Sequence, residues 1–315
     1  MHASPEPPGN PPSWITAPSL DGFPAERTAR ASVELRYEDI AEDGRIKAEC
    51  LPHAMGVVCW RKLVGELPAT AILRREAILP ILSRLVIVGG GGPLSVRDSV
   101  DAHGAYDVRQ AVDEVGRRDK LVLNLQATIF GVRGRTHGPP PDGAGETMEI
   151  GRVFAEHVFT RPFAPPESRK VATLPAGVHD GPLEEYAWPS NESLLRVPTG
   201  ASPIDGDALP AALTHTFGLR HTDSNQHVNS LVYPSLLEEA VLRRLADVGR
   251  STRVLMTAVE LRYRKPCFVG DAVRWHLALH AEGPRVLATA TLLPADAAAG
   301  NPAEKPYCYA RATFE

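Results

Sequence analysis

Within residues 223–229 an acid, two amides and an imidazole fall on alternate positions: Asp223, Asn225, His227 and Asn229, inside the run His221-Thr222-Asp223-Ser224-Asn225-Gln226-His227-Val228-Asn229-Ser230-Leu231-Val232-Tyr233. A carboxylate in a partly buried site takes a proton from water or attacks a carbonyl directly. The imidazole, with an unperturbed pKa of ~6.5, shares proton transfer near neutrality, and an amide holds a substrate or a water in place. Apolar periodicity begins just after the cluster, so backbone N–H groups near Ser230 to Tyr233 should open a helix and point at any oxygen that gains negative charge. The plainer reading makes Asp223 and Asn225 turn and N-cap residues. Capping, however, does not require His227 and Asn229 as well.

The elements that must position this cluster are legible on both sides of it. Over 234–248 the apolar residues Leu236, Leu237, Ala240, Val241 and Leu245 keep helical spacing, Glu239 pairs with Arg243 at i,i+4, Pro234 suits the first turn and Gly249 stops the helix. Alternating segments follow at 254–263, 271–279, 285–293 and 307–314, which predicts antiparallel strands.

An earlier region repeats that order. Pro93-Leu94-Ser95-Val96-Arg97-Asp98-Ser99-Val100 matches Pro266-Cys267-Phe268-Val269-Gly270-Asp271-Ala272-Val273 as P-x-x-V-x-D-x-V, a separation of 266 − 93 = 173. Laying His53 on His227, a separation of 227 − 53 = 174, sets Glu49 opposite Asp223, Val58 opposite Val232 and Leu63 opposite Leu237. Glu49 and His53 would then form a degenerate copy of the cluster, with Leu51 where an amide should stand. The match of 33–37 with 259–263 implies another offset and reads as coincidence between two strands. Gly89-Gly90-Gly91-Gly92 lacks the last glycine of a dinucleotide loop, Leu94 standing there, and reads as a strand connection.

Composition bounds the rest. The chain has 315 residues, 43% hydrophobic, with a net charge of −4 and no long basic block, which argues against nucleic acid as a partner. Four cysteines without CxxC spacing, no leader segment, and apolar runs far below the ~20 residues that span a bilayer predict a cytoplasmic protein with reduced thiols and no membrane contact. His137, His157 and His179 lack ligand spacing, so no metal site is expected. Residues 1–28 read as a Pro-rich disordered arm and 161–210 as an irregular linker, between a first unit at 29–160 and a second at 211–315.

Asp223-Ser224-Asn225-Gln226-His227-Val228-Asn229 resembles the D-x-N-Q-H-V-N signature of the acyl-acyl carrier protein thioesterases, and Leu261-Arg262-Tyr263-Arg264-Lys265-Pro266-Cys267 is similar to their L-E-Y-R-R-E-C strand. The resemblance implies an α+β double hotdog: two tandem units, each an antiparallel sheet wrapped around a long central helix, with substrate between the halves. It further implies hydrolysis of an acyl-CoA or acyl carrier protein thioester, in fatty acid or polyketide metabolism, without a cofactor. Asp223, Asn225 and His227 would be catalytic, and Asn229, Ser230, Tyr233, Glu238, Cys267 and Arg264 would meet the substrate. Where that family has a glutamate before the cysteine this chain has Pro266, and Glu238 or Glu239 on the helix is the candidate replacement. Cys267, on an alternating strand, reads as a small buried hydrophobe in preference to a nucleophile. Arg262, Arg264 and Lys265, with Arg243 and Arg244, are candidates for a phosphopantetheine phosphate or an acidic carrier. The lost glutamate keeps open a non-hydrolytic acyl-thioester binding or degenerate hotdog protein. A hotdog dehydratase or hydratase lacks its H-x-x-x-G-x-x-x-x-P pattern here. A homodimer stays an open option.

Overall fold

The structure, a computed structural model, describes residues 14–19, 22–179, 181–205, 209–297 and 305–315. The first half contains β1 (Thr28–Val33), α1 (Leu51–Met55), α2 (Pro68–Arg75), β2 (Leu79–Val88), β3 (Val100–Asp113), β4 (Lys120–Val132) and β5 (Thr147–Thr160). The helix of α1 runs on through 56–63 as π-helical turns. The segment between the halves contributes β6 (Glu185–Trp188), β7 (Ser202–Pro203) and β8 (Leu209–Pro210). The second half adds β9 (His215–Thr216), α3 (Val232–Asp247), β10 (Met256–Tyr263), β11 (Ala272–Glu282), β12 (Arg285–Pro294) and β13 (Cys308–Phe314). The helix and strands expected after residue 233 are thus present, within three residues at each end.

One continuous sheet carries both halves, in the order β1-β3-β4-β5-β2-β10-β13-β12-β11. Its midline is the antiparallel pair β2 and β10, with Leu85 opposite Leu261 and Arg84 opposite Arg262. On one face, alternate residues such as Leu121, Leu123 and Leu125 in β4, or Leu277 and Leu279 in β11, join the core with Val58 and Cys59 of the first helix and Leu237, Val241 and Leu245 of α3. Period-2 strands and period-3.6 helices supply that common apolar layer, whose burial is the main drive to fold.

The opposite face is polar and covered. Glu260 accepts from Arg84 (2.7 Å) and Arg311 (2.6 Å), and Arg262, 1% exposed, donates to the Pro189 carbonyl (2.9 Å). The segment between the halves therefore lies over this face, with β6 running parallel to β3 and β7, β8 and β9 edging β11. Of the arm expected to be disordered, residues 1–13 lie outside the described ones. Ile15, however, is fully buried against Val86, Phe154 and Ala258, with Trp14 and Ala17 beside it, so residues 14–17 pack on the fold. Apolar content, Trp14 and Ile15 together, outweighs the prolines around it.

The internal repeat is visible hydrogen bond by hydrogen bond. The turn bond Asp98 N–H to Ser95 O recurs as Asp271 N–H to Phe268 O, at the separation of 173 read from the sequence. Before the helices the separation differs. The bridge Ile40 to Ile46 recurs as Thr222 to Val228, and Lys47 N–H to Asp39 O recurs as Asn229 N–H to His221 O, giving 222 − 40 = 182. Ala41, not Glu49, is the counterpart of Asp223; His227 answers to Arg45, and His53 to Ser235. The sequence alignment at 174 fails because the first half places extra residues, including α2, between its helix and its second strand, so a single offset cannot hold across the whole unit.

Candidate active site

The loop 218–229 is folded by its own backbone. Asp223 N–H donates to His227 O (3.2 Å) and Gln226 N–H to Asp223 O (3.0 Å), which closes a tight turn with Gln226 at φ +66°. Inside the turn Asp223 is the hub. Its Oδ1 accepts the Asn225 backbone N–H at 2.8 Å, and its Oδ2 accepts Asn229 Nδ2 at 3.0 Å. Asn229 in turn accepts the Leu231 N–H on Oδ1 (2.8 Å) and the Val232 N–H on its carbonyl (3.0 Å), so the acid is tied directly to the first turn of α3. A carboxylate offers about four lone pairs. Two are used, and the carboxylate is held in one orientation with two left to accept from water.

His227 Nδ1 lies 3.1 Å from the Val228 carbonyl. A carbonyl only accepts, so Nδ1 carries the proton and Nε2 is left as the basic nitrogen. Asn225 is exposed at the loop tip and His227 half-buried. The loop thus joins Asp223 to Asn229 through side chains and to Asn225 through the backbone, while the His227 ring bonds to the neighbouring Val228 carbonyl and the Asn225 amide stands at the exposed tip.

Other expected residues go elsewhere. Cys267 is fully buried; its carbonyl takes the Val228 N–H (2.8 Å) and burial pushes its thiol up to about 11, so it is a packing residue under the loop and no nucleophile. Tyr233, 2% exposed, packs edge-on to Tyr263 and meets Cys267, and burial raises its hydroxyl; it faces the core and not a substrate. The Ser230 carbonyl accepts from the Tyr263 hydroxyl (2.9 Å). Arg262 and Arg244 are not free for a phosphate. Strand alternation sends Arg262 under residue 189, and Arg244 is committed to Asp205 (2.8 Å) and the Pro210 carbonyl (3.0 Å). Arg264 and Arg243 remain exposed, and Lys265 lies over the Tyr307 ring. Pro266 is exposed beside the loop, where it supplies no acid.

Glu238 sits on the seam between the halves. Its carboxyl hydrogen-bonds to that of Glu49, and burial, together with the neighbouring negative charge, pushes it up to about 7, with Lys47 and the Met256 N–H opposing the rise. The expectation that Glu49 belongs to a copy of the Asp223 cluster gives way to this pairing across the seam.

An open cleft of about 460 Å³ adjoins the first turn of α3, lined by His215, Arg220, His221, Leu231, Ser235 and Glu239 among others. His215 Nε2 is buried without a hydrogen-bond partner among the described residues, and desolvation, with His221 and Arg220 nearby, lowers its pKa. Sequence reasoning passed over this group. Two imidazoles and a guanidinium within 215–221 were the available signal.

Solved structures place the architecture. A Lactobacillus plantarum protein described as an oleoyl thioesterase superposes with a TM-score of 0.57 at 14% identity, over 91% of this chain and 96% of its own. The fold is the double hotdog. The 12:0-ACP thioesterase of Umbellularia californica gives 0.57 at 13% identity over 91% of this chain and 94% of its own, and an acyl-ACP thioesterase of Bacteroides thetaiotaomicron gives 0.54 at 13% over 92% and 98%. No family model and no curated protein sequence matches the chain. In this double hotdog the acidic loop stands at the start of the second unit's central helix, and among the described residues no helix is long and apolar enough to cross a membrane.

Proposed function

We propose that this double hotdog protein hydrolyses an acyl thioester carried by CoA or by an acyl carrier protein. The observation that carries the reading is the Asp223 carboxylate, fixed at 2.8 and 3.0 Å by Asn225 and Asn229 where α3 begins. Water held on a remaining lone pair adds to the thioester carbonyl while Asp223, or His227 through Nε2, takes its proton; the proton returns to the departing thiolate. Attack by Asp223 itself is the covalent variant, through an anhydride that water then opens. The start of α3 bears the positive end of the helix dipole and stabilises the oxygen that becomes negative. Arg220, Arg264 and Arg243 are the exposed cations offered to a phosphate-bearing arm or an acidic carrier.

The thioesterase names of the superposed structures support this reaction class, and so does the D-x-N-Q-H-V-N run. Pro266, where such thioesterases have glutamate, favours a second reading, a protein that binds acyl thioesters without turnover. Free thiol release from acyl-CoA and acyl-carrier substrates of several chain lengths separates them. Steady release supports hydrolysis; saturable binding without release supports the second reading; neither one sinks both.

A further inference from the structure

The open cleft of about 460 Å³ beside the first turn of α3 is lined by second-unit residues, and so stands apart from the seam where Glu49 meets Glu238. Its size is that of an ordinary small-molecule site, ~300–1,000 Å³. Leu231, Val232 and Leu236 supply apolar lining. Arg220 and His221 reach the cleft from the short turn Leu219–His221, and Ser235 and Glu239, one helical turn apart, reach it from the exposed side of α3.

Two donors approach the His221 ring at once. Gly218 N–H points at Nδ1 (2.9 Å) and Arg220 Nε at Nε2 (3.1 Å). A neutral imidazole has one accepting nitrogen and an imidazolium has none, so one donor is in surplus. With Nδ1 taken by the backbone, Nε2 bears the hydrogen and faces the guanidinium, and no acceptor stands between them. Arg220 is exposed and, among the described residues, bound to no carboxylate. His215 packs edge-on to the same ring (4.8 Å), and its Nε2 is buried with no hydrogen-bond partner among the described residues. Unsatisfied polar atoms are rare in folded proteins and mark places where a partner belongs.

A group with several acceptor oxygens resolves the surplus, and a phosphate ester can take both the guanidinium and the imidazole N–H. Glu239 repels a bare phosphate. It favours a ligand that is anionic at one end only and offers N–H donors at the other, while the apolar lining suits a flat ring. An adenine nucleotide has that make-up: phosphate oxygens for Arg220 and His221, a purine face for the leucines, an exocyclic amine for Glu239. CoA and the prosthetic arm of a carrier protein both bring a phosphate ester, but CoA alone brings the purine. Resting on the hydrolase reading, we propose that this cleft binds the nucleotide of an acyl-CoA, with Arg220 as phosphate anchor and Glu239 as the residue that selects adenine, so that CoA and not a carrier protein bears the thioester. The loop with Asp223 begins where Arg220 and His221 end, and the Asn229 N–H bonds to the His221 carbonyl (2.8 Å), so one short segment holds both anchor and acid.

The test measures binding of adenosine 5′-diphosphate, inosine 5′-diphosphate and inorganic phosphate by calorimetry, and thiol release from dodecanoyl-CoA and dodecanoyl-phosphopantetheine, in the unaltered chain, Arg220→Gln and Glu239→Gln. In the unaltered chain adenosine diphosphate should bind and compete with dodecanoyl-CoA, inosine diphosphate should bind several-fold more weakly and inorganic phosphate more weakly still, and the CoA ester should have a KM about tenfold or more below that of the phosphopantetheine ester. Arg220→Gln should weaken both nucleotides about tenfold or more and raise the dodecanoyl-CoA KM in parallel. Glu239→Gln, whose amide serves either purine, should erase the preference for adenine. A folded Arg220→Gln protein that binds adenosine diphosphate as the unaltered chain does overturns the proposal. So does an unaltered chain that treats the two esters alike and binds no adenosine diphosphate; thiol release would then leave the hydrolase reading standing without the cleft. If the nucleotides bind with the expected dependence on residues 220 and 239 but no thiol is released, the hydrolase reading falls and the nucleotide cleft stands.

Discussion

The loops 36–47 and 218–229 share a backbone and share almost nothing else. Each closes with the same bridge, the same reverse turn and the same bond into the following helix. Where the second has Asp223, Asn225, His227 and Asn229, the first has Ala41, Asp43, Arg45 and Lys47. In the second the acid holds the loop from within. In the first, Asp43 bonds only to Arg45 at its exposed tip (2.6 Å), and Arg36 with Asp39 does the bracing (2.8 Å). The left-handed residue of the turn is Gly44 at φ +90° in one and Gln226 at φ +66° in the other. Backbone strain thus sits in the loop that carries the acid and the imidazole, a pattern expected of working sites. The two halves share the hydrogen-bond frame; the side chains hung on it differ, and under the proposed function one set serves chemistry and the other structure.

This asymmetry can be broken on the chemical side first. His227→Gln should lower turnover by about 10²- to 10⁴-fold with little change in melting temperature, while Arg45→Gln, at the equivalent position, should leave turnover within twofold; steady-state rates of thiol release check both. Where the halves are alike, in the core, the comparison should vanish. Leu237→Ala and Met55→Ala delete equivalent buried side chains and should each cost about 2–5 kcal/mol of unfolding free energy, measured by denaturant titration.

The seam gives a smaller, pH-dependent signature. Because Glu238 is held near 7, above its ordinary 4.5, it favours the folded state while protonated. That contribution is fully present below pH 4.5 and is lost as pH rises toward 7. With allowance for its partial exposure, unfolding free energy should fall between pH 4.5 and 7.5 by about 1–2 kcal/mol more in the unaltered chain than in Glu238→Gln. Smallest of all, Gln226→Gly should relieve the left-handed turn and raise stability by up to about 1 kcal/mol, an effect Gly44 has already spent.

The sequence disclosed what repeats locally. Helical spacing from Leu236 to Leu245 and strand alternation after it located α3 and β10 to β13, and the P-x-x-V-x-D-x-V pair found equivalent turns because the N–H groups of Asp98 and Asp271 close the same bend. The polar loop was legible for the same reason, since an acid at 223 and amides at 225 and 229 need only a turn to meet. What escaped depended on long-range packing. The separation of 182 before the helices was hidden by insertions in the first half, and so was the pairing of Glu49 with Glu238. Arg262 looked like a surface cation because its strand alternates, yet residues 185–189 cover that face. His215, Arg220 and His221 meet only when β9 reaches the edge of β11.

The claim that the second loop is the working centre and the first is its silent frame is tested most directly by the kcat for dodecanoyl-CoA of the unaltered chain, of Asp223→Asn, and of Ala41→Asp. The account predicts a loss of at least a hundredfold for Asp223→Asn, whose single amide oxygen can keep one of the two bonds made by Asn225 and Asn229, in a protein that still melts cooperatively at a somewhat lower temperature, and no gain for Ala41→Asp. Equal rates in the unaltered and Asp223→Asn proteins would contradict it.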